Sequence, residues 1–150
     1  MKINTKYFGE VEMSDSSKIY FPEPLPGFET LSDFVIIPFY DDSDSLLCLQ
    51  SVVDPDLALV LINPLCVFEN YSPTLSADDF KSLKADNKTP LAYYAISVIH
   101  DDWKNSTMNL KCPVVVNPEK MLGRQIIMED NTYSMRHPID GELSKEAGEC

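Results

Sequence analysis

In Asp54-Pro55-Asp56, two carboxylates flank a proline just ahead of the apolar run 57–62. Two acids so close could work as a general acid and base, or offer oxygen ligands to a divalent cation. Either chemistry needs a third group and a pocket, and neither has a signature near this stretch. A turn asks for less. Asp before Pro favours turn initiation, and Asp56 can hydrogen-bond the backbone of the strand that follows. The expectation is a turn that launches a strand. The alternative is a small acidic β-domain hydrolase or metal enzyme using Asp54/Asp56 or the pair His100/Asp101.

That second pair gets no further support. The sequence holds two histidines, His100 ahead of Asp101-Asp102 and His137 in Met135-Arg136-His137-Pro138. A His beside an Asp can relay protons, yet no Gly-x-Ser-x-Gly elbow or reactive-cysteine context accompanies it. None of the five glycines stands in a dinucleotide or P-loop spacing. The four cysteines, Cys48, Cys66, Cys112 and Cys150, are far apart and include no Cys-x-x-Cys, so no zinc knuckle or redox pair is indicated. Cys48 and Cys112 fall in apolar strand patterns, where reduced cysteine acts as a small hydrophobe. No structural disulfide, cofactor or metal is expected.

Charge points to proteins as partners. Twenty-four acids against 12 bases give a formal net charge of −12, a field that repels phosphate backbones and speeds encounter with basic proteins. The acids in turns between strands are the candidates for that contact: Asp41, Asp42, Asp44, Glu69, Asp101 and Asp102. Two apolar features join them. Trp103, the only tryptophan, sits in a polar turn, where it either folds back on the body or anchors a partner. Met121-Leu122 is expected in a turn between strands, bare enough to need covering.

The positioning elements follow from alternation and punctuation. Alternation at Ile3, Thr5, Tyr7 and at Val11, Met13 predicts a hairpin turning at Gly9-Glu10. Strands are predicted over 18–21, 35–39, 46–53, 57–62, 91–99, 107–111, 114–116 and 124–128. Prolines 22, 24 and 26 make the next segment a stiff loop, with one turn of helix over 28–31. One helix has a full start signal: Ser76 and Asp79 form a capping box, with Leu75 and Phe80 as a hydrophobic staple, predicting a helix over 77–83. Strands far outnumber helices without a βαβ rhythm, so the fold class is mainly β, a small single-domain β-roll or partly open barrel with one or two short helices. The barrel domain is placed at 1–138 and a polar, flexible tail at 139–150. The N-terminus lacks a signal-peptide core, and no apolar run approaches the ~20 residues of a membrane span, so a cytoplasmic location is expected.

Four segments in order resemble the flagellar assembly factor FliW family, a likeness spanning residues 3–138. They are Phe21-Pro22-Glu23-Pro24-Leu25-Pro26-Gly27-Phe28-Glu29, Leu49-Gln50-Ser51-Val52-Val53-Asp54-Pro55-Asp56-Leu57-Ala58, Asn109-Leu110-Lys111-Cys112-Pro113-Val114-Val115-Val116-Asn117, and Gly123-Arg124-Gln125-Ile126-Ile127 with Tyr133-Ser134-Met135-Arg136-His137-Pro138. Pro24 departs from the acidic, aliphatic or glycine residue usual there, within a loop. The resemblance implies a small β-barrel and a non-enzymatic protein with two partners. These are CsrA, an RNA-binding repressor of flagellin translation, and flagellin itself. It implies no catalytic residue.

Overall fold

The computed structural model describes residues 1–40, 45–129 and 131–139. Strands β1 (Lys2–Thr5) and β2 (Gly9–Glu12) pair as an antiparallel hairpin. Its turn is residues 6–8, earlier than the predicted Gly9-Glu10. Thr5 Oγ1 donates to the Gly9 carbonyl at 2.7 Å and accepts from the Phe8 N–H at 2.9 Å. Gly9 takes a φ of +67°, which glycine enters without steric cost.

The other strands build one sheet: β3 (Ile19–Tyr20), β4 (Asp33–Pro38), β5 (Leu46–Ser51), β6 (Ala58–Ile62), β7 (Ala92–Val98), β8 (Thr107–Met108), β9 (Val114–Asn117), β10 (Leu122–Gln125) and β11 (His137–Pro138). Strands β3 to β7 pair in sequence order as antiparallel neighbours. The ring then closes through β7–β9, β9–β10 and a parallel β10–β3 contact at Leu122–Tyr20, giving a seven-stranded barrel. It is therefore closed rather than partly open. Two strands share one edge of β7. Its first half pairs with β9 and its second half with β8, so 109–113 bulges out between them. Pro113, which lacks a ladder donor, falls in that bulge.

Alternation along β5 and β6 sends Leu47, Leu49, Leu59 and Leu61 inward, where they meet Phe21, Phe34 and Val114. The Phe21 and Phe34 rings pack edge to face, 5.3 Å apart. Such fully buried side chains each contribute roughly 1.5–3 kcal/mol. A second core, with Ile62, Tyr71, Ala95, Met108, Leu110 and Ile139, takes the other face of the sheet. Ile139 is buried at 0% exposure, so the first residue assigned to the polar tail packs with the core.

Helix α1 (Ala77–Leu83) forms where its start signal placed it. Ser76 Oγ accepts from the Asp79 N–H at 3.1 Å, and Asp79 Oδ2 accepts from the Ser76 N–H at 2.8 Å. Lys84 ends the helix in the left-handed region at φ 51°, and Asn117 Nδ2 donates to the freed Leu83 carbonyl at 2.8 Å. The predicted helical turn over 28–31 is instead a pair of reverse turns, closed by Phe28 N–H to Leu25 O and Leu31 N–H to Phe28 O. Prolines 24 and 26 remove the donors that a longer helix would need. Cys48 and Cys112 are buried and free as expected, but Cys66 is disulfide-bonded, against expectation. Among the described residues no helix is long and apolar enough to cross a membrane.

Candidate protein interface

The Asp54-Pro55-Asp56 stretch is a turn. Asp54 Oδ1 accepts from the Asp56 N–H at 3.0 Å, and the Leu57 N–H reaches Asp54 O at 3.1 Å. Two residues before it complete the lock. Ser51 Oγ accepts from the N–H groups of Val53 and Asp54, at 3.2 and 2.9 Å. The fully buried Gln50 turns its amide nitrogen into the loop, 3.1 to 3.4 Å from the carbonyls of Ser51, Asp54, Pro55 and Leu57. Gln50 Oε1 accepts the Lys6 N–H at 3.0 Å, tying the first hairpin to the same turn. Asp54 thus spends an oxygen on its own backbone. No group of three or more His, Cys, Asp or Glu able to hold a metal ion occurs among the described residues. His100 is exposed, with its N–H on Ser106 Oγ at 2.9 Å, and His137 packs 5.9 Å from the Phe68 ring.

Strand register decides which acids share an end of the barrel. Gln50 pairs with Ala58 and Val60 with Ser97, so the turn after β5 and the connection after β7 leave the sheet at the same end. Asp33, at the start of β4, opens there as well, since Phe34 pairs with Ser51. This end therefore carries Asp33, Asp54, Asp56, Asp101 and Asp102, with Val53 73% exposed among them. Asp102 caps its own 3-10 turn, Trp103–Asn105, by accepting the Lys104 N–H at 3.0 Å. Glu69 is exposed but leaves from the other end, beyond Ile62. Asp41, Asp42 and Asp44 lie outside the described residues.

Beside the acidic end runs an apolar groove of about 440 Å³ across the outside of β5, β6 and β7. Leu46, Val60, Val98 and Ile99 floor it, Tyr7 and Phe39 wall it, and no lining side chain is charged. Val98 is 56% and Tyr7 45% exposed, large apolar surface left to solvent. The wall is built by the first hairpin, whose Tyr7 and Phe8 rings sit 5.5 and 5.2 Å from Phe39. Beneath, Cys48 is pushed up to about 11 by burial, with Lys6 acting weakly the other way, so it stays a neutral thiol.

Met121 and Leu122 do not form a bare turn. Met121 takes a φ of 53° and packs half-buried on the first core, while Leu122 already belongs to β10 and packs near Leu83 and Val115. Reading the strand start at Arg124 hid this, and both leave the set of exposed anchors. Gln50, which holds the turn, and Tyr7, Phe39 and Val98, which line the groove, were not among the residues that the sequence singled out. A lone amide between Leu49 and Ser51 and an aromatic pair at a hairpin tip were their only local signals.

The sequence model described as FliW protein matches residues 2–139. The chain belongs to the FliW family. It is 34% identical over 142 residues to flagellar assembly factor FliW of Bacillus subtilis (strain 168), covering 95% of this chain and 99% of that one. The corresponding factor of Thermoanaerobacter pseudethanolicus is 36% identical over 143 residues, covering 95% of each chain. A crystal structure of the flagellar assembly factor FliW superposes with a TM-score of 0.84 at 32% identity, covering 93% of this chain and 96% of that one. The Gln50–Ser51–Asp54 lock lies within the second of the four FliW-like segments, and Arg124, whose Nε donates to Asp79 Oδ1 of α1 at 2.7 Å, lies within the fourth.

Proposed function

We propose that this FliW-family protein is a non-enzymatic, cytoplasmic regulator of flagellar assembly that binds a CsrA-type repressor and flagellin in turn, relieving repression of flagellin translation. The observation that carries this reading is an uncharged groove bordered by an acidic barrel end. Flagellin's terminal regions are disordered before assembly and fold against partners as amphipathic segments; such a segment lays an apolar face into a groove of this kind. CsrA is basic, and Asp33, Asp54, Asp56, Asp101 and Asp102 supply the complementary charge that speeds its approach.

A standard interface covers ~800 Å² on each partner, so two adjoining sites on a body of 150 residues interfere. Flagellin can release CsrA only through unfavourable coupling, which is reciprocal, and ~1–3 kcal/mol shifts either affinity by roughly 5–150-fold. Titrating flagellin into the preformed CsrA complex, followed by calorimetry, tests this. Displacement or mutual weakening is expected. A stable ternary complex with both affinities unchanged would leave the protein a scaffold and end the switching reading.

A further inference from the structure

The β9–β10 ladder continues past the end of β10. Gln125 pairs with Val114. In the same register the Ile126 N–H reaches Pro113 O at 3.0 Å, and the Met128 N–H reaches Lys111 O at 3.2 Å. Main-chain groups of successive residues in such a pair turn alternately toward the partner and away from it, so the N–H and C=O of Ile127 point to the opposite edge. Among the described residues they meet no hydrogen-bond partner. The side chains alternate too. Ile126 and Met128 are buried, whereas Ile127 is 67% exposed and Glu129 is exposed. Residues 125–129 thus form a short open sheet edge with an apolar side chain at its centre.

A pocket of about 600 Å³ runs along this edge, lined also by Thr74 and Leu75 ahead of α1. Leu75 packs on the core that holds Leu83, Val115 and Ile126, which gives the pocket an apolar side. Its charged lining is Asp78, Asp79, Glu129 and Arg124. Arg124 Nε donates to Asp79 Oδ1 at 2.7 Å, so that pair cancels and the exposed Asp78 and Glu129 remain as net negative charge. A second copy of this chain suits the edge poorly, because at net charge −12 it would set acids against acids. A basic segment meets the same carboxylates favourably.

We propose that residues 125–129 are a docking edge for an extended segment of a partner protein, one with an apolar residue and lysine or arginine two positions away on either side. The segment adds itself to the sheet as a strand and exchanges main-chain hydrogen bonds with Ile127. Its central side chain lies beside that of Ile127, and with cations on both sides one falls beside Glu129 in either strand direction. None of the lining residues is shared with the apolar groove across β5, β6 and β7, so this surface is separate from the contacts proposed above and stands or falls without them.

The test titrates the full chain into a fluorescein-labelled peptide, Thr-Lys-Val-Ile-Val-Lys-Thr, at about 0.15 M salt, where loose surface attraction is screened. Anisotropy reads binding, and NMR follows exchange of the Ile127 amide. Two control peptides carry an N-methyl group on the central residue or glutamate in place of both lysines. Saturable binding is expected, with Ile127 exchange slowed about tenfold at saturation. Each control should bind at least about tenfold more weakly. Absence of saturable binding overturns the proposal, as does binding that leaves Ile127 exchange unchanged or tolerates either control. Ile127 protection that rises with protein concentration in the absence of peptide would make the occupant a second copy, and that result also overturns it.

Discussion

Gly123 faces the tip of the Phe21 ring so closely that a Cβ built on the glycine would stand 2.6 Å from Phe21 Cζ. Both Cε atoms would also fall within 2.9 Å. The ring is fully buried and cannot swing away. Gly123→Ala should therefore cost about 1–3 kcal/mol in urea unfolding, as overpacking does. Adding Phe21→Leu should return part of that loss. A wild-type midpoint for Gly123→Ala would mean that the first and fourth FliW-like segments do not depend on this contact.

Asp79 serves two elements at once. One oxygen accepts the Ser76 N–H at the start of α1, and the other meets Arg124 Nε on β10 at 2.7 Å. Its side chain is 11% exposed, so solvent replaces little of what is lost. Asp79→Ala should destabilise by about 2–4 kcal/mol, since it leaves the Ser76 N–H without its carboxylate acceptor and a half-buried guanidinium unpaired. Ser76→Ala, which removes only the cap, should cost about 1 kcal/mol. Equal losses for the two variants in denaturant titrations would show the ion pair to be inert.

Gln50 predicts a sharp chemical asymmetry. Replacing it with Glu keeps its size but removes the amide donors and aims a carboxylate at four carbonyls. Gln50→Glu should cost at least about 3 kcal/mol, and Gln50→Ala roughly 2 kcal/mol. Asp54→Asn should change stability by under about 0.5 kcal/mol, because Asn Oδ1 can still accept the Asp56 N–H. Thermal melts of the three variants check the order, and a tolerated Gln50→Glu would contradict the lock.

Alkali should weaken the fold. Cys48 is held as a neutral thiol up to about 11 against an ordinary 9, because burial outweighs the nearby Lys6. Burial also raises Cys112 and Tyr93. With the folded value above the unfolded one, this stability is complete below pH 9. It is lost as the pH climbs from 9 to 11, where the unfolded thiol ionises and the folded one does not. The Cys48 share is on the order of 1–2 kcal/mol. Denaturation midpoints of wild type and Cys48→Ala at several pH values across that window should converge; parallel curves would exclude Cys48 as the source.

What the sequence disclosed was local. The Asp54-Pro55-Asp56 turn and the Ser76–Asp79 capping box each depend on residues within a few positions of one another; the box stands as read, and the turn forms with the Asp54 carboxylate, not the expected Asp56, accepting the backbone N–H. Ring closure joins Tyr20 to Leu122 through chain a hundred residues apart, and no periodicity encodes such a meeting. For the same reason the acids could be named but not sorted. Only the Gln50–Ala58 and Val60–Ser97 register separates Asp101 and Asp102 from Glu69. Met121 misled because a positive φ at a methionine is rare, and it let β10 begin two residues early.

A closed ring changes how the molecule can be read by another chain. Along β5, β6 and β7 each strand has a hydrogen-bonded neighbour on both sides, so the backbone donors and acceptors of that wall are largely engaged and offer no row for an incoming strand to extend. Recognition at the barrel wall must then depend on which side chains project from it, not on main-chain pairing. Such a surface discriminates by shape and charge at a few positions. Its specificity can therefore shift through single substitutions at places like Tyr7 or Val98 while the scaffold beneath stays the same.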